Sequence, residues 1–160
     1  MWNMQSEIEN PRAELTELIV RTGRRMRTVF NARVSALGLT YPRARVLAML
    51  ARHAAPNQTE LAGRLQLETA TVVRLLDGME RLGLVERVPA DGDRRAKEVR
   101  LTPEGRDAAA QVAAITQDIR EAMLDGIGDA DAASALHTMR HMARSIEDMA
   151  AGREDVCDEE

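Results

Sequence analysis

Aromatic side chains are nearly absent: the chain has one Trp, one Tyr and one Phe, 2% of its residues. Its core therefore has to be aliphatic, built from Leu, Val, Ala and nine Met, a palette that suits packed helices. Cysteine occurs once, at Cys157, which excludes an internal disulfide framework and a multi-thiolate metal site within one chain. No apolar run approaches the roughly 18 residues of a membrane span, and the N-terminus has no signal-peptide pattern. These absences read as a reduced, soluble, cytoplasmic protein with no membrane partner. No glycine-rich phosphate loop and no nucleophile–base pair occurs either, so no catalytic residue, cofactor or metal is assigned and the chain is read as a non-enzyme. At 160 residues it suits one domain, or one core with an appended dimerisation region.

A large excess of one charge is missing too, with 22 Lys+Arg against 26 Asp+Glu. The mean conceals a gradient. Residues 1–52 hold nine Arg against four acids, residues 57–106 nine of each sign, and residues 107–160 four Arg against thirteen acids. Local charge decides what a surface attracts, so the whole-chain balance does not choose the partner.

What is present is helical periodicity. From Arg12 to Leu37, the residues Leu15, Leu18, Ile19, Met26, Val29, Phe30 and Leu37 recur near a 3.6-residue period, which predicts a long helix ending at Gly38. Residues 1–10 are polar and expected to fray. Pro42 opens a second helix with Ala44, Leu47, Ala48 and Ala51 on one face, widened by Val46 and Leu50.

The stretch from Asn57 to Gly83 is the most ordered in pattern. Asn57 and Glu60 have capping-box spacing, followed by a short helix through Leu61 and Leu65. Thr69 is expected to cap a further helix that runs to Leu82 and stops at Gly83. On a helical wheel Val72, Val73, Leu75, Leu76, Met79 and Leu82 share one side, where Glu80 is the lone polar residue. Ala70, Thr71, Arg74, Asp77, Gly78 and Arg81 share the other. Small residues, a hydroxyl and an arginine describe a face able to approach another body closely.

Two strands follow, Leu84–Val88 and Lys97–Leu101, around the charged loop "DGDRRAKEVR", with Arg87 just upstream. Val99 and Leu101 alternate with Glu98 and Arg100, the period-2 pattern of a half-buried hairpin. Asp91-Gly92 reads as its turn. Thr102 and Pro103 start a helix with Val112, Ile115, Ile119 and Met123 on its apolar face. Asp129 or Asp131 caps a last helix bearing Leu136, Met139, Met142, Ala143, Ile146 and Met149, and residues 151–160 read as a disordered acidic tail.

The fold expected is mainly α with a small β-hairpin wing. It comprises an N-terminal dimerisation helix (1–40), a winged helix–turn–helix (41–102) and C-terminal helices of the dimerisation region (103–150). The runs "TELAGRL" and "TVVRLLDGMERLGLVERVPADGDRRAKEVRLTPEG", above all "DRRAKEVRLT", resemble the MarR family of transcription regulators and within it the SlyA-like branch. Asp93, Arg95, Ala96, Lys97, Val99, Leu101 and Thr102 fit the family's wing pattern position by position. The resemblance implies a homodimer on double-stranded DNA, with the helix from Thr69 in the major groove. Thr69, Thr71 and Arg74 would then face DNA, with Arg74 suited to guanine O6/N7. The wing would lie over the minor groove, with Arg95 inserted, Asp93 orienting it, and Arg94 and Lys97 on phosphates. Which of Arg94 and Arg95 goes deeper stays open.

By the same resemblance, a small aromatic anion would bind between the dimer helices and the DNA-binding lobe, near Met26, Phe30, Tyr41, Arg43 and Arg45. The basic run of Arg21, Arg24, Arg25 and Arg27 reads first as a helix face pairing with the acidic half of a partner chain, with phosphate contacts or the carboxylate of an anionic ligand as alternatives. His137 and His141 have metal-ligand spacing without a third ligand, and Cys157 has no basic neighbour beyond Arg153 to activate it. The function implied is a repressor on a pseudo-palindromic operator, released by that ligand. The alternatives are an anti-silencing activator and a winged-helix protein–protein module without DNA binding.

Overall fold

The computed structural model describes residues 10–52, 56–90 and 93–154, with the backbone alone at 90, 93–96, 153 and 154. The order is α1 (Pro11–Ser35), α2 (Tyr41–Leu50), α3 (Gln58–Leu65), α4 (Thr69–Arg81), β1 (Val85–Ala90), β2 (Asp93–Leu101), α5 (Pro103–Leu124) and α6 (Asp129–Glu154). This is the expected mainly helical architecture with one two-stranded antiparallel hairpin. The chain divides into two compact units at Ile119/Arg120, within α5.

Capping explains most helix boundaries. Asn10 is a cap rather than part of a frayed end: its Oδ1 accepts from the N–H groups of Arg12 and Ala13 at 3.1 and 3.2 Å, and Pro11 supplies the first turn. The capping box at α3 is complete, since Glu60 N–H donates to Asn57 Oδ1 at 2.9 Å and Asn57 N–H to Glu60 Oε2 at 3.1 Å. Thr69, expected as a cap, is instead the first helical residue of α4, and Glu68 stands at the N-cap without a side-chain bond. The reason lies one step back, where Gln66 adopts left-handed geometry (φ 55°) and ends α3. That reversal shortens the connection, so the carbonyl of Glu68 already accepts from Thr71 and Val72. Asp129 and Asp131 likewise lie inside the first turn of α6, where their charge suits the positive end of the helix.

Leu82 also departs from expectation. It falls beyond the end of α4 and is 53% exposed, while Gly83 (φ 68°) carries the chain out of the helix. Gly83 N–H bonds to Glu80 O at 2.9 Å and Leu84 N–H to Met79 O at 3.0 Å, a glycine-terminated Schellman end.

The first unit has one continuous core. Leu47, Leu61, Leu65, Leu76 and Met79 are fully buried, joined by Val34, Val46, Val72, Val99 and Val112. Each such side chain contributes about 1.5–3 kcal/mol through its removal from water. The core thereby fastens α2, α3 and α4 to the base of the hairpin. By contrast Val34 is the one buried residue of α1, whose Leu15, Leu18, Val20, Met26 and Val29 are exposed. In the second unit Leu136, Met139, Ile146 and Met149 of α6 are exposed.

The hairpin is longer than its apolar alternation indicated. Val85 pairs with Leu101, Arg87 with Val99 and Pro89 with Lys97, and then Ala90 pairs with Asp93. The charged run Asp93–Ala96 is therefore strand backbone, not loop. Between Pro89 and Ala90 the register shifts, leaving Arg94, Arg95 and Ala96 as a bulge. The Asp91-Gly92 turn lies outside the described residues, as do residues 155–160 with Cys157 and most of the expected acidic tail.

Candidate nucleic-acid interface

The outward face of α4 is set by its inward one. Burial of Val72, Leu76 and Met79 leaves Thr69, Thr71, Arg74 and Arg81 exposed. Arg74 has no hydrogen-bond or ion-pair partner among the described residues. A guanidinium with unspent donors on an open helix face can take two acceptors at once, as a base edge or a phosphate offers.

Glu80, the lone polar residue on the apolar side of α4, has a partner that the helix alone does not reveal. Arg87 of β1 pairs with it through Nη1, and the Arg87 N–H donates to Glu80 Oε1 at 3.1 Å. Arg87 Nη2 also reaches Asp77 Oδ1 at 2.7 Å and the Val73 carbonyl at 3.3 Å. The Arg87 side chain is only 12% exposed, so it does not join the basic cluster of the wing. Arg100 is likewise engaged, donating to Glu98 Oε2 at 2.8 Å. Lys97 is exposed, opposite Pro89. For Asp93, Arg94 and Arg95 the structure describes the strand and the bulge, and their side chains lie outside the described residues.

The hairpin is tied to the helices at its base. Val99 N–H donates to Pro56 O at 3.0 Å, beside a bridge between Asn57 and Glu98 that leads into α3. The Thr102 hydroxyl donates to Gly83 O at 2.6 Å and accepts from Gly105 N–H at 2.9 Å, so one side chain both closes the end of α4 and caps α5. Gly105 is packed so tightly that a Cβ there would fall 1.8 Å from the Leu84 carbonyl oxygen.

The five residues expected to line a ligand cavity are partly brought together. Phe30 and Tyr41 meet edge to face with ring centroids 5.8 Å apart. Arg45 stands 5.9 Å from the Tyr41 centroid and donates to Leu65 O at 3.1 Å. Arg27, read from sequence as part of a basic helix face and not among these five, lies closer to the same ring, at 5.1 Å. Met26 is 45% exposed on α1. Arg43 lies apart from the ring contacts, against Gly78 of α4. An open cleft of about 760 Å³, lined by Leu50, Glu86, Leu101, Arg106 and Ala109 among others, includes none of the five.

His137 and His141 are exposed on α6, and no group of three or more metal-ligating side chains occurs among the described residues. No helix among those residues is long and apolar enough to cross a membrane.

Comparison with known proteins places this geometry. The model of the MarR family matches residues 37–96, from the end of α1 through the bulge of the hairpin. Over 93 residues the chain is 31% identical to the HTH-type transcriptional regulator PrsX of Escherichia coli, a match to 57% of this chain. The match spans 56% of PrsX, about half the length of that curated relative. Among solved structures, the transcriptional regulator PA3341 is 37% identical with a TM-score of 0.76, over 84% of this chain and 98% of that one. A mutant of MarR from E. coli, complexed with operator DNA, has a TM-score of 0.70 at 24% identity, over 86% of this chain and 99% of that one. At that identity the likeness is one of fold.

Proposed function

The chain belongs to the MarR family, and from that premise we propose that it is a homodimeric, cytoplasmic regulator of transcription that binds a pseudo-palindromic DNA duplex. The observation that carries this reading is the exposed face of α4, with Thr71 and an Arg74 that has no partner among the described residues, anchored beside the bulged, arginine-bearing strand of the hairpin. The operator complex of the related MarR fold supports it. In this reading α4 enters the major groove, Arg74 reads a base, Arg95 probes the minor groove with Asp93 orienting it, and Arg94 and Lys97 hold phosphates.

The exposed apolar residues of α1 and α6 support a homodimer, because a stripe of Leu, Met, Val and Ile left in water is a surface awaiting cover. Two copies would then present two recognition helices to half-sites about one helical turn apart. The regulator acts as a repressor by occupying a promoter. Its ligand is a small aromatic anion held near Phe30, Tyr41 and Arg45, where cations and rings already cluster. Such a ligand releases DNA only through unequal affinity for the two dimer spacings. The wing pattern from Asp93 to Thr102 favours the SlyA-like branch.

Selection of bound duplexes from a random pool tests the reading, run with and without an aromatic anion such as 4-hydroxybenzoate. Enrichment of a two-fold sequence that the anion weakens is the expected result. Failure to enrich any duplex would favour the protein-binding module instead.

A further inference from the structure

A helix of 13 residues such as α4 is about 20 Å long, longer than the roughly 12 Å width of the major groove. One that enters the groove by its first turns has to carry its last turns past the phosphates along the edge. The face of α4 that holds Thr71 and Arg74 continues to Gly78 and Arg81, at helical spacing.

Gly78 is the gap in that face. A Cβ placed on it would lie 3.5 Å from Nη2 of Arg43 and 3.9 Å from Nη2 of Arg81. Two guanidinium groups from different helices thus flank one point above bare backbone. Arg81 steadies itself by donating Nε–H to the Asp77 carbonyl at 3.2 Å, which leaves its Nη groups to donate elsewhere. Arg43 is half-buried and has no hydrogen-bond or ion-pair partner among the described residues. The carboxylates on the same turns, Asp77 and Glu80, are both held by Arg87. Like charges converge here with no described counter-charge of their own, an arrangement that an oxyanion resolves.

We infer that Arg43 and Arg81 form a clamp for one backbone phosphate of DNA, seated over Gly78. The inference rests on the DNA-binding reading above and adds to it a contact from α2, outside the helix–turn–helix pair. Gly78 contributes by what it lacks, since a larger side chain would occupy the seat. A phosphate contact fixes register and depth without reading sequence. The clamp therefore sets how far α4 lies in the groove, while Arg74 reads the base.

The test is fluorescence anisotropy of the full-length protein on its selected duplex, across a range of salt. Arg43→Ala and Arg81→Ala are each expected to weaken binding about tenfold per half-site, the loss of one charge-assisted hydrogen bond in each protomer. The double variant is expected to flatten the slope of log K against log salt by about 1.8, one phosphate's worth (about 0.9) at each of the two half-sites, with the selected sequence unchanged. Arg43→Lys should keep most of the slope as a point charge, and Gly78→Leu should weaken binding as the arginine variants do. Thermal melting of each free variant separates loss of contact from loss of fold. Should Arg43→Ala melt early, Arg81→Ala at its exposed position carries the same comparison. Wild-type affinity and slope in the double variant, on a duplex that the wild type binds, overturn the clamp and leave the DNA reading intact. A wild-type protein that binds no duplex removes both.

Discussion

Arg87 of β1 and Asp77 of α4 meet at 2.7 Å, and the same guanidinium pairs with Glu80 one turn further on. A single, largely buried arginine therefore locks the hairpin to α4 and neutralises two acids beside the proposed DNA face. Its Nε is buried without a partner among the described residues, so its two Nη groups make the side-chain bonds.

Replacement of Arg87 by Ala is expected to cost about 1–2 kcal/mol, a figure held down because Asp77 and Glu80 keep access to water. The thermal midpoint should fall by about 3–6 °C. DNA affinity should fall as well, because two carboxylates lose their counter-charge next to the phosphates. Arg87→Lys should recover little, since an ammonium cannot reproduce the planar fork. Calorimetry paired with anisotropy reads both effects, and an unchanged melt would remove the lock.

Gly105→Ala is expected to destabilise the fold by about 2–3 kcal/mol, the usual cost of forcing an atom into filled space. The added carbon meets a main-chain carbonyl, which cannot swing aside as a side chain could. Denaturant titration of the full chain checks this. A variant as stable as the wild type would show that the contact between Leu84 and α5 relaxes freely.

On the DNA side, Arg74→Ala and Arg95→Ala should separate. Loss of Arg74 should relax base preference at one position per half-site, at about 1–3 kcal/mol of discrimination. Loss of Arg95 should weaken binding and flatten its salt dependence. An unaltered sequence logo for Arg74→Ala, or unchanged binding for Arg95→Ala, would withdraw the corresponding role.

Deletion of the residues after Gly128 removes α6 and its exposed Leu136, Met139, Ile146 and Met149. The proposed dimer should then dissociate at micromolar concentration, as read by sedimentation. A truncated protein that stays fully dimeric would place the interface elsewhere.

Features that depend on near neighbours were legible in the sequence. The Asn57–Glu60 box and the Gly83 stop announce themselves within a few residues, because their hydrogen bonds close within one turn. Thr69 misled because the start of α4 is decided by the left-handed Gln66, a conformation with no strong residue signature in Gln. Arg87 read only as a strand arginine just upstream of the charged loop, because its carboxylates lie seven and ten residues back, across a reversal of the chain. The odd placement of Glu80 on an apolar face was the available clue. Arg43 was grouped with Tyr41 by proximity in sequence, whereas the structure turns it to Gly78. At Arg94 and Arg95 the charge run suggested a loop, and the pairing of Ala90 with Asp93 made it strand.

The moorings of the hairpin have a mechanical consequence. Arg87 fastens it to α4, Val99 to the approach to α3, and Thr102 to the exit from α4. Wing and recognition helix then travel together as one rigid jaw, so neither can loosen its hold on DNA alone. In a dimer of such jaws the adjustable quantity is the gap between them. In the proposed dimer, the half-site separation of the selected duplexes would be a ruler for that gap.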